Sequence, residues 1–263
     1  MSAQLWSSVI RGLKEPPPAP AKACDATSVR RPIAGEVFIN CREAAGSKDA
    51  AAAIRGGHSV LVVRGAFGED ACAALRAEAS WEARAPEREA ELGTGKVRVP
   101  VARLSAPGRD AAAAALRRAL KETHVVVPAL LPSLFPGGSP LDGGDVVFTS
   151  NEPAVNCYLP GGEFAPHEDG MALTVLVVLS DERLFAGGGT AFWSPDQRPT
   201  FVGVDRWDPA EVLVPPTGSA LVFTGGVRHA ALPVTDGERT VFVASFSGAR
   251  GVRPGEHRAE GGE

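Results

Sequence analysis

Few residues in this chain are equipped for chemistry, and they fall into a short ordered set. Of five histidines, one sits in the triplet His167-Glu168-Asp169. In an extended segment residues two apart project to the same face, so His167 and Asp169 can address one ion while Glu168 points away. The triplet alone is a weak sign, because such triplets are common on surface loops. His229 follows the apolar run Ala220–Phe223 and the flexible Thr224-Gly225-Gly226, and Arg239 lies ten residues further on. Two imidazoles and one carboxylate on one side of an ion, with other positions open, form the donor set of non-haem Fe(II) oxygenases. A diacid such as 2-oxoglutarate chelates iron through one carboxylate and its keto group, and its far carboxylate then needs a fixed cation. Arginine meets that need, because its planar guanidinium grips a carboxylate through two parallel hydrogen bonds and keeps its charge. About five strand residues, roughly 17 Å, separate Arg239 from the level of His229, a gap that an extended arginine and a five-carbon diacid can close.

The elements that must position these groups fall into two halves. Residues 1–32 form an N-terminal segment whose Pro16-Pro17-Pro18-Ala19-Pro20 run is a stiff, extended linker. Residues 33–145 read as a helical supporting lobe with one or two strands. The run Ser59–Val63 is a buried strand, Asp70–Ala79 a helix, and Asp110 to about Leu131 a second helix that Pro128 kinks or ends. Leu116, Leu120 and His124 are spaced four apart on one stripe of that helix. Between the helices, Trp81–Arg109 is a charged, loop-rich insertion with one short strand at Val97–Val101.

Beyond Pro132 the pattern changes to short strands between Gly and Pro clusters. These are Val146–Thr149, Val155–Leu159, Leu173–Leu179, Thr190–Trp193, Glu211–Val214, Ala220–Phe223 and Arg239–Phe246. Such spacing predicts a β-sandwich or barrel over residues 146–247. Asp236-Gly237 reads as a hairpin turn, and residues 248–263 read as a disordered Gly-, Arg- and Glu-rich tail.

Bulk properties exclude several classes. With 263 residues, a net charge of −4 and a pI near 5.8, the chain gives no electrostatic reason to bind nucleic acid or an anionic membrane. No apolar run is long enough to span a bilayer. Cys24, Cys41, Cys72 and Cys157 are scattered without a CxxC pair and read as reduced thiols of a cytoplasmic protein. Met1–Lys14 carries Leu5, Trp6, Val9, Ile10 and Leu13 at helical spacing beside Arg11 and Lys14. That pattern fits a short packing helix or an organelle-targeting segment.

Four ordered motifs together resemble the prolyl 4-hydroxylase-like 2-oxoglutarate/Fe(II)-dependent dioxygenases. Tyr158-Leu-Pro-Gly161-Gly-Glu-Phe164-Ala-Pro-His167-Glu-Asp169 is similar to their Y-x-x-G-x-x-[FY]-x-x-H-x-D signature. Gly187-Gly188-Gly189-Thr190-Ala191-Phe192 resembles their GG-x-T-x-F strand, and Pro216 to Phe223 their P-x-x-G-x-x-[LV]-x-F strand. His229 to Arg239 reproduces the H-x9-R spacing. The resemblance covers about Val146 to Phe246. It implies an α+β fold with a double-stranded β-helix (jelly-roll) core and supporting N-terminal helices. It also implies iron ligands His167, Asp169 and His229, with Arg239 on the distal carboxylate of 2-oxoglutarate. Tyr158 matches a family tyrosine that reaches that carboxylate or the substrate, and Thr190 is a further hydrogen-bonding candidate. A second family tyrosine is missing from Thr174-Val175-Leu176-Val177-Val178, unless Thr174 supplies its contact. The implied reaction couples decarboxylation of 2-oxoglutarate by O2 to hydroxylation of a substrate, with ascorbate as an auxiliary reductant. The implied partner is a peptide, a protein or a small-molecule substrate, and the oligomeric state stays open.

Rival readings lack their residues. There is no G-x-S-x-G elbow, and Gly93-Thr94-Gly95-Lys96 lacks the rest of a P-loop. Alkylated-nucleic-acid demethylases need a second arginine six residues after the first, where this chain has Ser245. A cupin-type metalloenzyme usually carries extra ligands near the first histidine. A β-barrel that only binds a partner remains the rival of a different class. His58, His124 and His257 read as structural or solvated. Arg228 reads as surface charge that can touch substrate, and the run Arg84, Glu87, Arg88, Glu89 and Glu91 as a solvated face, with a substrate lid that includes Trp81 and Arg98 as the lesser alternative. Substrate choice is expected in the loops Trp81–Arg109 and Ser194–Pro209.

Overall fold

The computed structural model describes residues 38–40, 48–193 and 209–249. Its first half runs β1 (Phe38–Asn40), α1 (Lys48–Arg55), β2 (Ser59–Val63), α2 (Glu69–Ala83), α3 (Glu89–Leu92), β3 (Lys96–Pro100), α4 (Ala106–Val126) and α5 (Leu130–Leu134). Strands then follow as β4 (Val146–Phe148), β5 (Ala154–Tyr158), β6 (Phe164–His167), β7 (Leu173–Val178), β8 (Phe185–Gly187) and β9 (Thr190–Phe192). The remainder are β10 (Glu211–Leu213), β11 (Ala220–Phe223), β12 (His229–Ala231), β13 (Val234–Gly237) and β14 (Arg239–Gly248).

A large sheet has the order β1-β2-β11-β7-β14-β5-β3, with β4 paired to β14 off that path. A second sheet has the order β10-β9-β12-β6, and β13 pairs with β8. Apart from β1 on β2, these strand pairings are antiparallel. The chain passes back and forth between two facing antiparallel sheets, which is the double-stranded β-helix, or jelly roll. With the helices it makes an α+β fold.

Strand alternation sorts the side chains of the large sheet onto two buried faces. On β14, Phe242, Ala244 and Phe246 join an apolar cluster with Leu75 of α2 and Leu116 and Leu120 of α4. Val241 on the other face joins Leu176, Val178, Phe192 and Phe223 between the sheets. Both faces are covered, so the central strands read as unbroken apolar runs. The same cluster takes in Ile54 of α1 and Leu130 and Leu131 of α5. Three upstream strands also belong to the large sheet, where one or two were expected: β1 against β2, β2 against β11 and β3 against β5. The upstream half therefore shares one sheet and one core with the strands after residue 146.

Several expectations shift in detail. Helix α4 begins at Ala106, not Asp110, because the Ser105 side chain accepts the Gly108 N–H and Pro107 suits the first turn. It ends at Val126, just before Pro128. Leu116 and Leu120 are buried, but His124 is exposed and Thr123 takes the next inward position. Its hydroxyl is satisfied by the Ala119 carbonyl. The insertion after Trp81 holds more order than expected: α2 runs on to Ala83, α3 follows, and the strand sits at Lys96–Pro100. Asp236-Gly237 does not close a hairpin. It ends β13, which pairs with β8, and Gly237 at φ 73° turns the chain into β14 in the other sheet. A Cβ there would lie 2.1 Å from the Leu184 carbonyl oxygen, so the corner needs glycine.

The expected N-terminal segment 1–32, nearly all of the Ser194–Pro209 loop, His257 and the tail beyond residue 249 lie outside the described residues. Among the described residues no helix is long and apolar enough to cross a membrane. Cys72 and Cys157 are buried free thiols, and burial pushes both up to about 12.

Candidate active site

The two histidines of the set meet as neighbours across a strand pair. His167 ends β6 and His229 begins β12, and the two are direct antiparallel partners. Side chains at such opposed positions project together, and the imidazole centroids lie 4.3 Å apart. Asp169 follows the end of β6 and turns its carboxylate back between them. Its Oδ1 lies 3.4 Å from His167 Nε2, and its Oδ2 lies 3.7 Å from His229 Nε2. One ligand atom from each residue falls within 4.8 Å of the others. His229 is buried and held edge-on by Phe223, with ring centroids 4.7 Å apart. His167 keeps 31% of its side chain exposed and stacks on Phe164.

Hydrogen bonds fix which imidazole nitrogen carries the proton. His167 Nδ1 lies 2.8 Å from the Ala165 carbonyl, and His229 Nδ1 lies 3.0 Å from the Val227 carbonyl. A carbonyl only accepts, so each Nδ1 bears an N–H and each Nε2 is the nitrogen turned toward Asp169. Burial holds the His229 pKa below that of free histidine, keeping it neutral. The Asp169 carboxyl is held down at about 2: burial opposes this, but the adjoining His167 and His229 rings and the Thr174 hydroxyl outweigh it. Two imidazole Nε2 atoms and a carboxylate therefore face one another. Such a set is stable with a divalent cation between its members, so the donors fit Fe(II).

Arg239 lies at the other end of the same cavity. It opens β14, opposite Tyr158 of β5, and is 2% exposed. Its Nη2 donates to Thr190 Oγ1 at 2.8 Å, and its guanidinium carbon lies 5.6 Å from the Tyr158 ring centroid. Gly188 makes room for it, since a Cβ there would stand 3.1 Å from Arg239 Cδ. Burial lowers the Arg239 pKa, and no carboxylate among the described residues pairs with it. A buried guanidinium without an anion is costly, so this end of the cavity fits an anionic ligand group. The cavity is lined by His167, Asp169, His229, Tyr158, Thr190 and Arg239 together. Thr190 thus accepts from Arg239, and the Tyr158 hydroxyl accepts from Asn156 Nδ2 at 3.3 Å.

Other expectations sort differently. Thr174 does not reach toward Arg239; its hydroxyl donates to Asp169 Oδ2. Arg98 lines the cavity, while Trp81 and Arg228 are absent from its lining and Trp81 is 77% exposed. His58 and His124 are exposed. Sequence reasoning missed Glu152 and Asn156, which also line the cavity. Arg98 pairs with Glu152 and donates to Asn156 Oδ1 at 3.3 Å. A polar residue inside the apolar strand Ala154-Val-Asn156-Cys-Tyr158 was the available signal for Asn156. Burial raises the Glu152 pKa despite the Arg98 charge, whereas nothing in the sequence separates Glu152 from an ordinary loop acid.

Comparison with known families and structures bears on the same segment. Residues 153–246 match the family model described as the 2OG-Fe(II) oxygenase superfamily. No curated protein matches the chain. Among solved structures, a 2OG-Fe(II) oxygenase family oxidoreductase from Burkholderia pseudomallei is similar at 18% identity and TM-score 0.48, over 81% of this chain and 94% of that one. The viral collagen prolyl hydroxylase of Paramecium bursaria Chlorella virus-1 is similar at 15% identity and TM-score 0.47, over 72% and 95%. The epimerase SnoN of nogalamycin biosynthesis stands at 18% identity and TM-score 0.47, over 77% and 85%. Likenesses at this level carry no argument about substrate.

Proposed function

We propose that in this 2-oxoglutarate/Fe(II)-dependent dioxygenase, whose segment 153–246 matches the 2OG-Fe(II) oxygenase model, His167, Asp169 and His229 hold the iron and Arg239 holds the cosubstrate. We propose further that the enzyme hydroxylates a C–H bond of a prolyl or other peptidyl side chain. The observation that carries the site reading is the single cavity that joins the two-histidine, one-carboxylate set to an unpaired buried guanidinium. The substrate reading rests on the Tyr158-to-Asp169 signature. On this reading residues 146–247 are the catalytic core and residues 33–145 its support.

Each side chain then has a defined task. Asp169, ionised, and the imidazoles of His167 and His229 would hold the metal. With 2-oxoglutarate and O2 bound, the iron supplies oxidative decarboxylation to succinate and CO2, coupled to hydroxylation. Arg239 orients the diacid by gripping its distal carboxylate, and Thr190 holds the guanidinium in place. Tyr158 and Phe164 cover the pocket with apolar surface and keep water from the cosubstrate.

Succinate formation, measured with proline-rich peptides, free amino acids and no substrate, tests the substrate class. Stimulation by the peptides and loss of it in His167→Ala are expected. Stimulation by a free amino acid alone would replace the peptidyl reading with a small-metabolite one.

A further inference from the structure

We propose that Thr174 is a positioning residue that holds the Asp169 carboxylate in place for its metal. The inference rests on the reading of His167, Asp169 and His229 as iron ligands. Thr174 is fully buried in β7, a strand whose other members are Leu173, Val175, Leu176, Val177 and Val178. Nothing in the packing of such a strand requires a hydroxyl, and valine would fill the same volume. A buried hydroxyl also costs free energy unless it is hydrogen-bonded. Its partners explain its presence. Thr174 Oγ1 lies 2.5 Å from Asp169 Oδ2 and 3.2 Å from the hydroxyl of Ser245, its direct cross-strand neighbour on β14.

The direction of these bonds follows from the proton count. An ionised carboxylate can only accept, so Thr174 gives its one proton to Asp169, and Ser245 gives its own to Thr174. The Ser245 backbone N–H is in turn taken by the Glu152 carboxylate. The hydroxyl pair is thus anchored in the large sheet and reaches the Asp169 oxygen, Oδ2, that lies 3.7 Å from His229 Nε2. Oδ2 is engaged by Thr174, while Oδ1, nearer His167 Nε2, carries no hydroxyl donor. A carboxylate held this way is oriented toward the two imidazoles before any ion arrives.

The test pairs two substitutions that keep the strand intact. Thr174→Val has the same shape without the hydroxyl, and Thr174→Ser keeps the hydroxyl. Co(II), a probe stable in air, is titrated into each metal-free protein without 2-oxoglutarate and followed by its visible absorption. Thermal melting of the metal-free forms is recorded alongside. T174V is expected to bind Co(II) about 10- to 100-fold more weakly than wild type, the range for loss of a group that orients a ligand. T174S should stay close to wild type in Co(II) affinity, and both variants should melt cooperatively as folded proteins. Equal Co(II) affinity in T174V and wild type overturns the role of Thr174, as does T174S behaving like T174V. If wild type binds Co(II) no better than His167→Ala, the metal-site reading itself fails and takes this inference with it.

Discussion

At the scale of single residues, the site is defined by protonation as much as by position. His229 is surrounded by Phe192, Phe223 and the cavity wall, and burial keeps it neutral although Asp169 pulls the other way. Its folded pKa lies below the free value of about 6.5, so unfolding takes up a proton between the two. The stability it contributes is complete above about pH 6.5 and is lost as pH falls through its folded value. Metal-free protein should therefore melt at lower temperature as pH drops from about 7.5 to 5, and His229→Asn should flatten that slope; equal slopes would contradict the assignment. The donor residues were legible because histidines are few and their spacing was distinctive. Thr174 was legible only as a polar residue in an apolar strand. Its partner could not be read, since Asp169 returns to it through a turn that no local pattern encodes.

At the scale of elements, two loops bring the donors to one place. Gly170 and Met171, just past Asp169, exchange backbone hydrogen bonds with Gly225, just before His229, at 3.0 Å each way. A Cβ on Gly225 would stand 2.3 Å from both the backbone nitrogen and oxygen of Met171. Gly225→Ala must push the Asp169 turn away from His229, at a cost of about 1–3 kcal/mol for overpacking. It should weaken Co(II) binding and lower the melting temperature together, whereas unchanged Co(II) affinity would show that the turn does not set the site. The sequence marked Thr224-Gly225-Gly226 as flexible, but the reason for glycine is this close approach. Strands rich in Val, Leu and Phe were read nearly to their ends. The short strands β6, β8, β12 and β13 were not, because they carry Pro, Gly, His and Asp, and only partner strands hold them extended.

At the scale of the whole molecule, the helices support the large sheet from the face opposite the site. Leu120 on α4 is fully buried in the cluster that contains Phe242 and Phe246 of β14. Leu120→Ala should cost about 2–5 kcal/mol of stability, read by melting, while folded protein keeps its Co(II) affinity. A matching loss of affinity would mean that the support reaches into the site. The α+β class and the order of helices before strands were evident from composition and turn signals, but the joining of β2 and β3 to the large sheet was not. Which strands pair is decided by packing between distant segments, and neither strand carries a local mark of its neighbour. Anaerobic titration of the Fe(II)-loaded protein with 2-oxoglutarate tests the central claim most directly. A chelated keto acid on iron with open positions should give a weak visible charge-transfer band. The band should appear in wild type, require more 2-oxoglutarate in Arg239→Ala, and be absent from His167→Ala and Asp169→Ala. No band in wild type, or the same band in all four proteins, would contradict the assignment of iron to His167, Asp169 and His229.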